Sequence, residues 1–161
     1  MVYKRILVPL DGSPTSDRGL KEALRLARNQ KAKLGLLHVV DNSVFYVPPE
    51  GAFNVESLLD DLKAYGQQVL HSAEALAARQ GVRTETTLSE SFAGRVADVI
   101  TERARRWRAD LIVMGTHGRR GVNRMVMGSD AELVVRNTLV PVLLVRGLPS
   151  VKRRGASKKK K

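Results

Sequence analysis

Cysteine is absent from the 161 residues, which removes disulfides, zinc-thiolate centres and thiol catalysis from consideration together. Aromatics are scarce at 4%, so any core has to be built from Leu, Val, Ile and Ala. The three histidines, His38, His71 and His117, are scattered and have no carboxylate at ligand spacing, so no metal site is expected. No run approaches the ~20 apolar residues of a membrane helix, and the opening MVYKRILVPLDGS lacks a long apolar signal segment. The expectation is a soluble, cytoplasmic chain. Acid is also in short supply: 16 Asp and Glu stand against 28 Lys and Arg, a net charge of +12.

That charge is uneven. Lys152, Arg153, Arg154 and Lys158 to Lys161 place seven positive charges beyond Gly147, leaving +5 for residues 1–146. With Gly, Ser and Pro beside them and little to bury, residues 148–161 read as a disordered basic tail. Residues 1–147 read as one domain, and 43% hydrophobic content suffices for its core.

Within that domain, apolar runs alternate with amphipathic stretches. Arg5–Leu10, Lys33–Val40, Val82–Leu88, Asp110–Met114 and Val140–Val145 read as strands. Leu20, Ala23, Leu24 and Ala27 share one face of a helix, with Ser13-Pro14 as its N-cap and first residue. Val55–Gln80 is a second helix, with Gly81 as its C′ residue. The third runs from about Val96 to Arg108, and the last from Asp130 to Asn137. Buried strands separated by helices predict a parallel α/β sheet covered on both faces. Pro141 cannot donate to a ladder, which puts the fifth strand at an edge or interface.

Ligands of such sheets bind beyond the carboxyl ends of the strands. Three segments lie there: Pro9 to Ser13, His38 to Asp41, and the stretch after Met114. The last contains Gly115, Gly118, Gly121, Gly128 and Ser129, with Arg119, Arg120 and Arg124 between. Glycines let backbone approach a ligand, and a helix opening after Gly128-Ser129 offers N–H groups to phosphate. No Gly-Lys-Ser/Thr follows, so this is not a Walker A loop.

The spacing G-x2-G-x9-G-S, met by Gly115, Gly118, Gly128 and Ser129, resembles the nucleotide loop of ATP-binding universal stress proteins. ILVPLDGS, LLHVVD and ADLIVMGTHGRRG are similar to the same family, from about Tyr3 to Arg146. The resemblance implies an open, Rossmann-like five-stranded parallel sheet in the order 3-2-1-4-5. It also implies ATP with Mg²⁺ or Mn²⁺, and a homodimer through Val140–Val145. Pro9 and Asp11 would border adenine and ribose. Val39 or Val40 would meet the adenine, Met114 and Gly115 would line the ribose, and Gly118, Gly128 and Ser129 would hold phosphates. His117, Arg119 and Asp130 complete the candidate set. Arg95 departs from the family, where proline often starts the third helix.

Plainer roles compete at several positions. Ser129-Asp-Ala-Glu132 fits a capping box, which satisfies a helix start with no ligand, and Asp130 and Glu132 repel phosphate. Asp11 suits a turn before Ser13. His38 fits a core histidine, His71 a helix surface, and His117 a solvated loop. Arg103 to Arg108 suit a solvated helix face, with Trp107 against the sheet. No nucleophile elbow, His-Asp-Ser ordering or carboxylate pair is present, so no catalytic residue is assigned. The family implies at most slow ATP hydrolysis or phosphoryl transfer to a hydroxyl such as Ser129. The expected role is a nucleotide-dependent stress-response regulator. The competing role is a nucleic-acid or anionic-surface binder working through the lysine tail, although 4% aromatics argue against base stacking.

Overall fold

A computed structural model describes residues 2–42, 55–91, 95–116 and 127–147. Five strands and four helices alternate along the chain: β1 (Arg5–Pro9), α1 (Pro14–Gln30), β2 (Lys33–Asp41), α2 (Val55–Arg79) and β3 (Thr84–Ser91) come first. They are followed by α3 (Val96–Arg106), β4 (Leu111–Gly115), α4 (Ser129–Asn137) and β5 (Val142–Val145). All four strand pairings are parallel, and the sheet order is β3-β2-β1-β4-β5, as expected.

The strands' side-chain alternation divides the core into two layers. Ile6, Val8, Leu34, Leu36 and Val113 face α1 and α2, where Leu24, Ala27, Ala73 and Ala77 cover them. Leu7, Leu37, Ile112 and Met114 face α3 and α4, against Ile100, Ala104, Trp107 and Val134. Trp107 therefore packs on the sheet as predicted. Helices on both faces explain why the central strands are apolar on both sides.

Local signals fix most of the ends. Ser13 caps α1: its Oγ accepts the Ser16 N–H at 3.1 Å, and Pro14 is the first helical residue. At the end of α2, Gly81 takes φ +70°. There the Gly81 N–H donates to Ala78 O and the Val82 N–H to Ala77 O, each at 3.0 Å, a Schellman ending around the predicted C′ glycine.

Most boundaries differ from the sequence reading by a residue or more, and three of them have a clear local cause. β3 runs Thr84–Ser91, not Val82–Leu88, because Val82 belongs to the helix ending while Ser89, Glu90 and Ser91 still pair with Val39, Val40 and Asp41. β5 begins at Val142, because the ladder starts only past Pro141, whose carbonyl accepts the Ile112 N–H at 2.9 Å. β5 is nonetheless an edge strand, as Pro141 requires. α3 stops at Arg106, with Trp107 as its C-cap.

Candidate functional site

Because every strand is parallel, all the carboxyl ends lie along one edge of the sheet. The order reverses where β1 pairs with both β2 and β4, the position at which open α/β sheets take ligands. Pro9 is the last residue of β1 and is in register with Leu37. The chain then turns through Asp11, Gly12 and Ser13 into α1. Gly12 has φ +78°, a conformation that side chains other than glycine's disfavour. Asp11 is a turn residue in fact: its Oδ1 accepts the Ser13 N–H at 2.9 Å, and its N–H donates to Ser16 Oγ at 3.2 Å.

Beside this turn, β2 brings Val39 and Val40 to opposite faces. Val39 is half-buried against the α3/α4 layer, and Val40 is buried. His38 is a satisfied core histidine, buried, with Nδ1 2.8 Å from Leu10 O. His71 is exposed on α2.

β4 supplies the third wall. Met114 is buried in the α3/α4 layer, and Gly115 ends the strand against the start of α1. A Cβ on Gly115 would stand 2.9 Å from Thr15 Cγ2 and 3.2 Å from Ser16 N, so only glycine lets α1 approach this closely. The next residue, Thr116, is buried and ties two elements together: its N–H donates to Val145 O at 3.0 Å, and its carbonyl accepts the Gly128 N–H at 2.8 Å. The two ends of the segment 117–127 are thereby drawn to the end of β4.

The start of α4 corrects the capping-box reading. The N-cap is Gly128 (φ −62°, ψ 147°), with no side-chain cap bond, and Ser129 is already helical. The Glu132 N–H donates to Gly128 O at 3.0 Å, which puts the cap one residue earlier than S-x-x-E suggests. Gly128 has no side chain to offer, so it caps none of the first-turn N–H groups. Asp130 and Glu132 lie in the same turn, and Glu132 is paired with Arg136 at 2.9 Å.

Of the predicted residues, Pro9, Asp11, Val39, Val40, Met114, Gly115, Gly128, Ser129 and Asp130 fall at the ends of β1, β2 and β4 or the start of α4. His117, Gly118 and Arg119 lie outside the described residues, as does the tail 148–161. Thr116 carried a sequence clue in its place between two glycines of the motif. Tyr65 carried none: it reaches Asp11 only because α2 folds back over β2.

A groove of about 410 Å³ runs between α1 and α2, with Gly12 of the β1–α1 turn, Leu20, Tyr65, Val69 and Leu76 among its walls. None of the predicted residues lines it. Among the described residues, no group of three or more His, Asp or Glu could hold a metal ion. No helix among them is long and apolar enough to cross a membrane.

Known proteins are similar to this chain in sequence and in fold. A universal stress protein of Methanocaldococcus jannaschii is 40% identical over 146 residues, covering 90% of this chain and 83% of its own. One from Bacillus subtilis is 32% identical over 154 residues, covering 90% of this chain and 100% of its own. Among solved structures, one from Lactobacillus plantarum superposes with TM-score 0.79 at 28% identity, over 91% of this chain and 99% of that one. One from Burkholderia pseudomallei gives 0.73 at 35%, over 89% and 96%. Two structures at 24% and 23% identity share the fold, a universal stress protein in complex with cAMP and one from Archaeoglobus fulgidus in complex with dAMP. Residues 2–146 match the Universal stress protein family. With its sheet order and nearly its whole length accounted for, the chain belongs to the universal stress protein family.

Proposed function

We propose that this chain binds ATP, with Mg²⁺ or Mn²⁺ on the phosphates, and works as a nucleotide-dependent regulatory module. The observation that carries this reading is the start of α4: a helix capped by glycine, pinned at Gly128 to the end of β4 through Thr116. A polyphosphate there meets first-turn N–H groups and the positive end of the helix dipole. In this reading Pro9 and Asp11 border adenine and ribose, Val39 or Val40 contacts the adenine through its backbone, and Met114 and Gly115 line the ribose. His117, Gly118, Arg119, Gly128 and Ser129 surround the phosphates, and Asp130, whose charge repels them, lies in the same helical turn. A metal bound with the nucleotide would supply charge neutralisation on the phosphate oxygens. The cAMP and dAMP complexes of two proteins with this fold are consistent with an adenine ligand.

Residues 1–147 then form the nucleotide domain and 148–161 a basic tail. Contact with the loop reaches β5 through Thr116, whose carbonyl holds Gly128 and whose N–H holds Val145. That path joins the ligand to the edge where a homodimer would form, beside the exposed Leu139. No residue is assigned a catalytic role.

Calorimetric titration of MgATP into the full chain tests the reading. A one-site isotherm that disappears in Gly128→Glu or Gly118→Glu, with an unchanged melting temperature, supports it. Binding that survives both variants, and goes only when Lys158 to Lys161 are replaced by serine, moves the anion to the tail.

A further inference from the structure

We infer that His38 and Tyr65 are positioning residues, which fix the β1–α1 turn by holding two successive carbonyls, Leu10 O and Asp11 O. In doing so they set where Asp11 meets the nucleotide, a consequence that rests on the reading above. Once β1 ends at Pro9, each backbone polar group of the turn needs a new partner. Leu10 N–H donates to Leu37 O at 2.8 Å. Asp11 N–H and the Ser13 N–H find theirs within the turn and the first helical residues, on Ser16 Oγ and Asp11 Oδ1.

The two carbonyls are served from far away in sequence. His38 Nδ1 lies 2.8 Å from Leu10 O, 28 residues distant. A carbonyl only accepts, so Nδ1 carries the proton and donates. The Tyr65 hydroxyl donates to Asp11 O across 54 residues at 3.3 Å, long for an O–H···O bond and the weaker half of the clamp. The two rings meet edge to face, with centroids 6.0 Å apart.

Two glycines make this reach possible. A Cβ on Gly66 would stand 2.5 Å from His38 Cδ2 and 2.7 Å from Leu88 Cδ1, so α2 settles onto β2 only with glycine there. A Cβ on Gly12 would stand 2.1 Å from the Tyr65 oxygen. The turn, the β2 imidazole and the α2 phenol are therefore fitted to one another, although they come from three separate parts of the chain.

The clamp is tested in the full chain by amide hydrogen exchange at Asp11 to Ser13, alongside MgATP titration and thermal melting. Tyr65→Phe keeps the ring and removes the hydroxyl. His38→Leu removes the donor, while His38→Asn returns an N–H near the place of Nδ1. Both Tyr65→Phe and His38→Leu are expected to speed exchange in the turn ahead of the rest of the molecule. Each should weaken MgATP by about three- to tenfold, the worth of one hydrogen bond, with the larger loss for His38→Leu. His38→Asn should recover part of both. Wild-type exchange in the turn of Tyr65→Phe and His38→Leu overturns the clamp, and Tyr65→Phe decides alone if His38→Leu does not fold. A wild-type chain that binds no MgATP overturns the nucleotide reading instead, and the exchange rates still decide whether the clamp exists.

Discussion

Gly35 of β2 lies against the indole of Trp107: a Cβ at position 35 would stand 3.0 Å from Cζ3 and 3.1 Å from Cε3. Arg5 packs on the same indole, its guanidinium carbon 4.5 Å from the ring centroid. The absence of one side chain on β2 is what admits the only tryptophan, at 4% exposure, into the α3/α4 layer. Gly35→Ala is expected to overpack this seat and destabilise the protein by about 1–3 kcal/mol. Gly81→Ala is the control, since nothing lies within 4 Å of a Cβ there and only its positive φ is strained. It should cost about 1–2 kcal/mol. Denaturant midpoints compare the two, and an unshifted Gly35→Ala contradicts the seat.

Two serines precede or open helices, and they should differ in their effect on stability. Ser13 accepts the Ser16 N–H, so Ser13→Ala is expected to cost about 1 kcal/mol. Ser129 is inside α4, past the Gly128 cap, so Ser129→Ala should stay within about 0.5 kcal/mol when no nucleotide is present. Thermal melts of the two variants measure this. Equal losses would restore the capping box at Ser129.

Gly115 meets not only the Thr15 methyl but also backbone, with Thr15 C at 3.0 Å from the position of a Cβ. Gly115→Ala should therefore push α1 off β4 and destabilise by about 1–3 kcal/mol. Thr15→Ser in the same chain removes the methyl contact and should recover only part of the loss. Full recovery in a double-mutant cycle would mean that the backbone contacts carry no strain.

Acid stability should depend in part on Glu85. Lys33 at 2.8 Å is the main cause that holds its carboxyl at about 2, down from 4.5, with Arg103, also at 2.8 Å, adding to it. The buried Trp107 indole N–H comes second to Lys33 as a cause, ahead of Arg103, although it closes no hydrogen bond of good geometry. A depressed folded value means stability that is present above pH 4.5 and lost as pH falls towards 2. The pairs are solvent-exposed, with 39% of the Glu85 side chain accessible, so the whole effect is at most about 1 kcal/mol. Urea unfolding of Glu85→Gln against wild type should show a gap at pH 7 that closes through this window. A gap that stays constant down to pH 2 would rule the ion pairs out as its source.

Most of the fold was legible because the signals were local. The runs around Ile6, Leu36 and Ile112 are apolar on both faces, and Ser13-Pro14 and Gly81 mark helix ends through their own backbone chemistry. Other ends were hidden because they depend on a partner strand. Ser89 to Ser91 look like loop until β2 lies beside them. Lys31 and Arg108 take positive φ where a sequence reader expects glycine. At the candidate site, Pro9, Asp11, Gly115 and Gly128 could be named from spacing and family resemblance. Thr116 as the tie between β5 and α4, and His38 with Tyr65 across the turn, needed the tertiary fold.

The two borders of the sheet are unlike. β3 carries Glu85 and Glu90, each bound to a neighbouring cation, and such charges discourage a further strand from adding to it. β5 is four uncharged residues, each partly exposed. Growth of this sheet by strand addition is therefore one-ended. Two copies joined through β5 would each use up the receptive border, and what remained outward on both would be the charged one. Such a pairing would be self-limiting: it would close on itself as a twofold assembly and leave no uncharged sheet border among the described residues for a further strand.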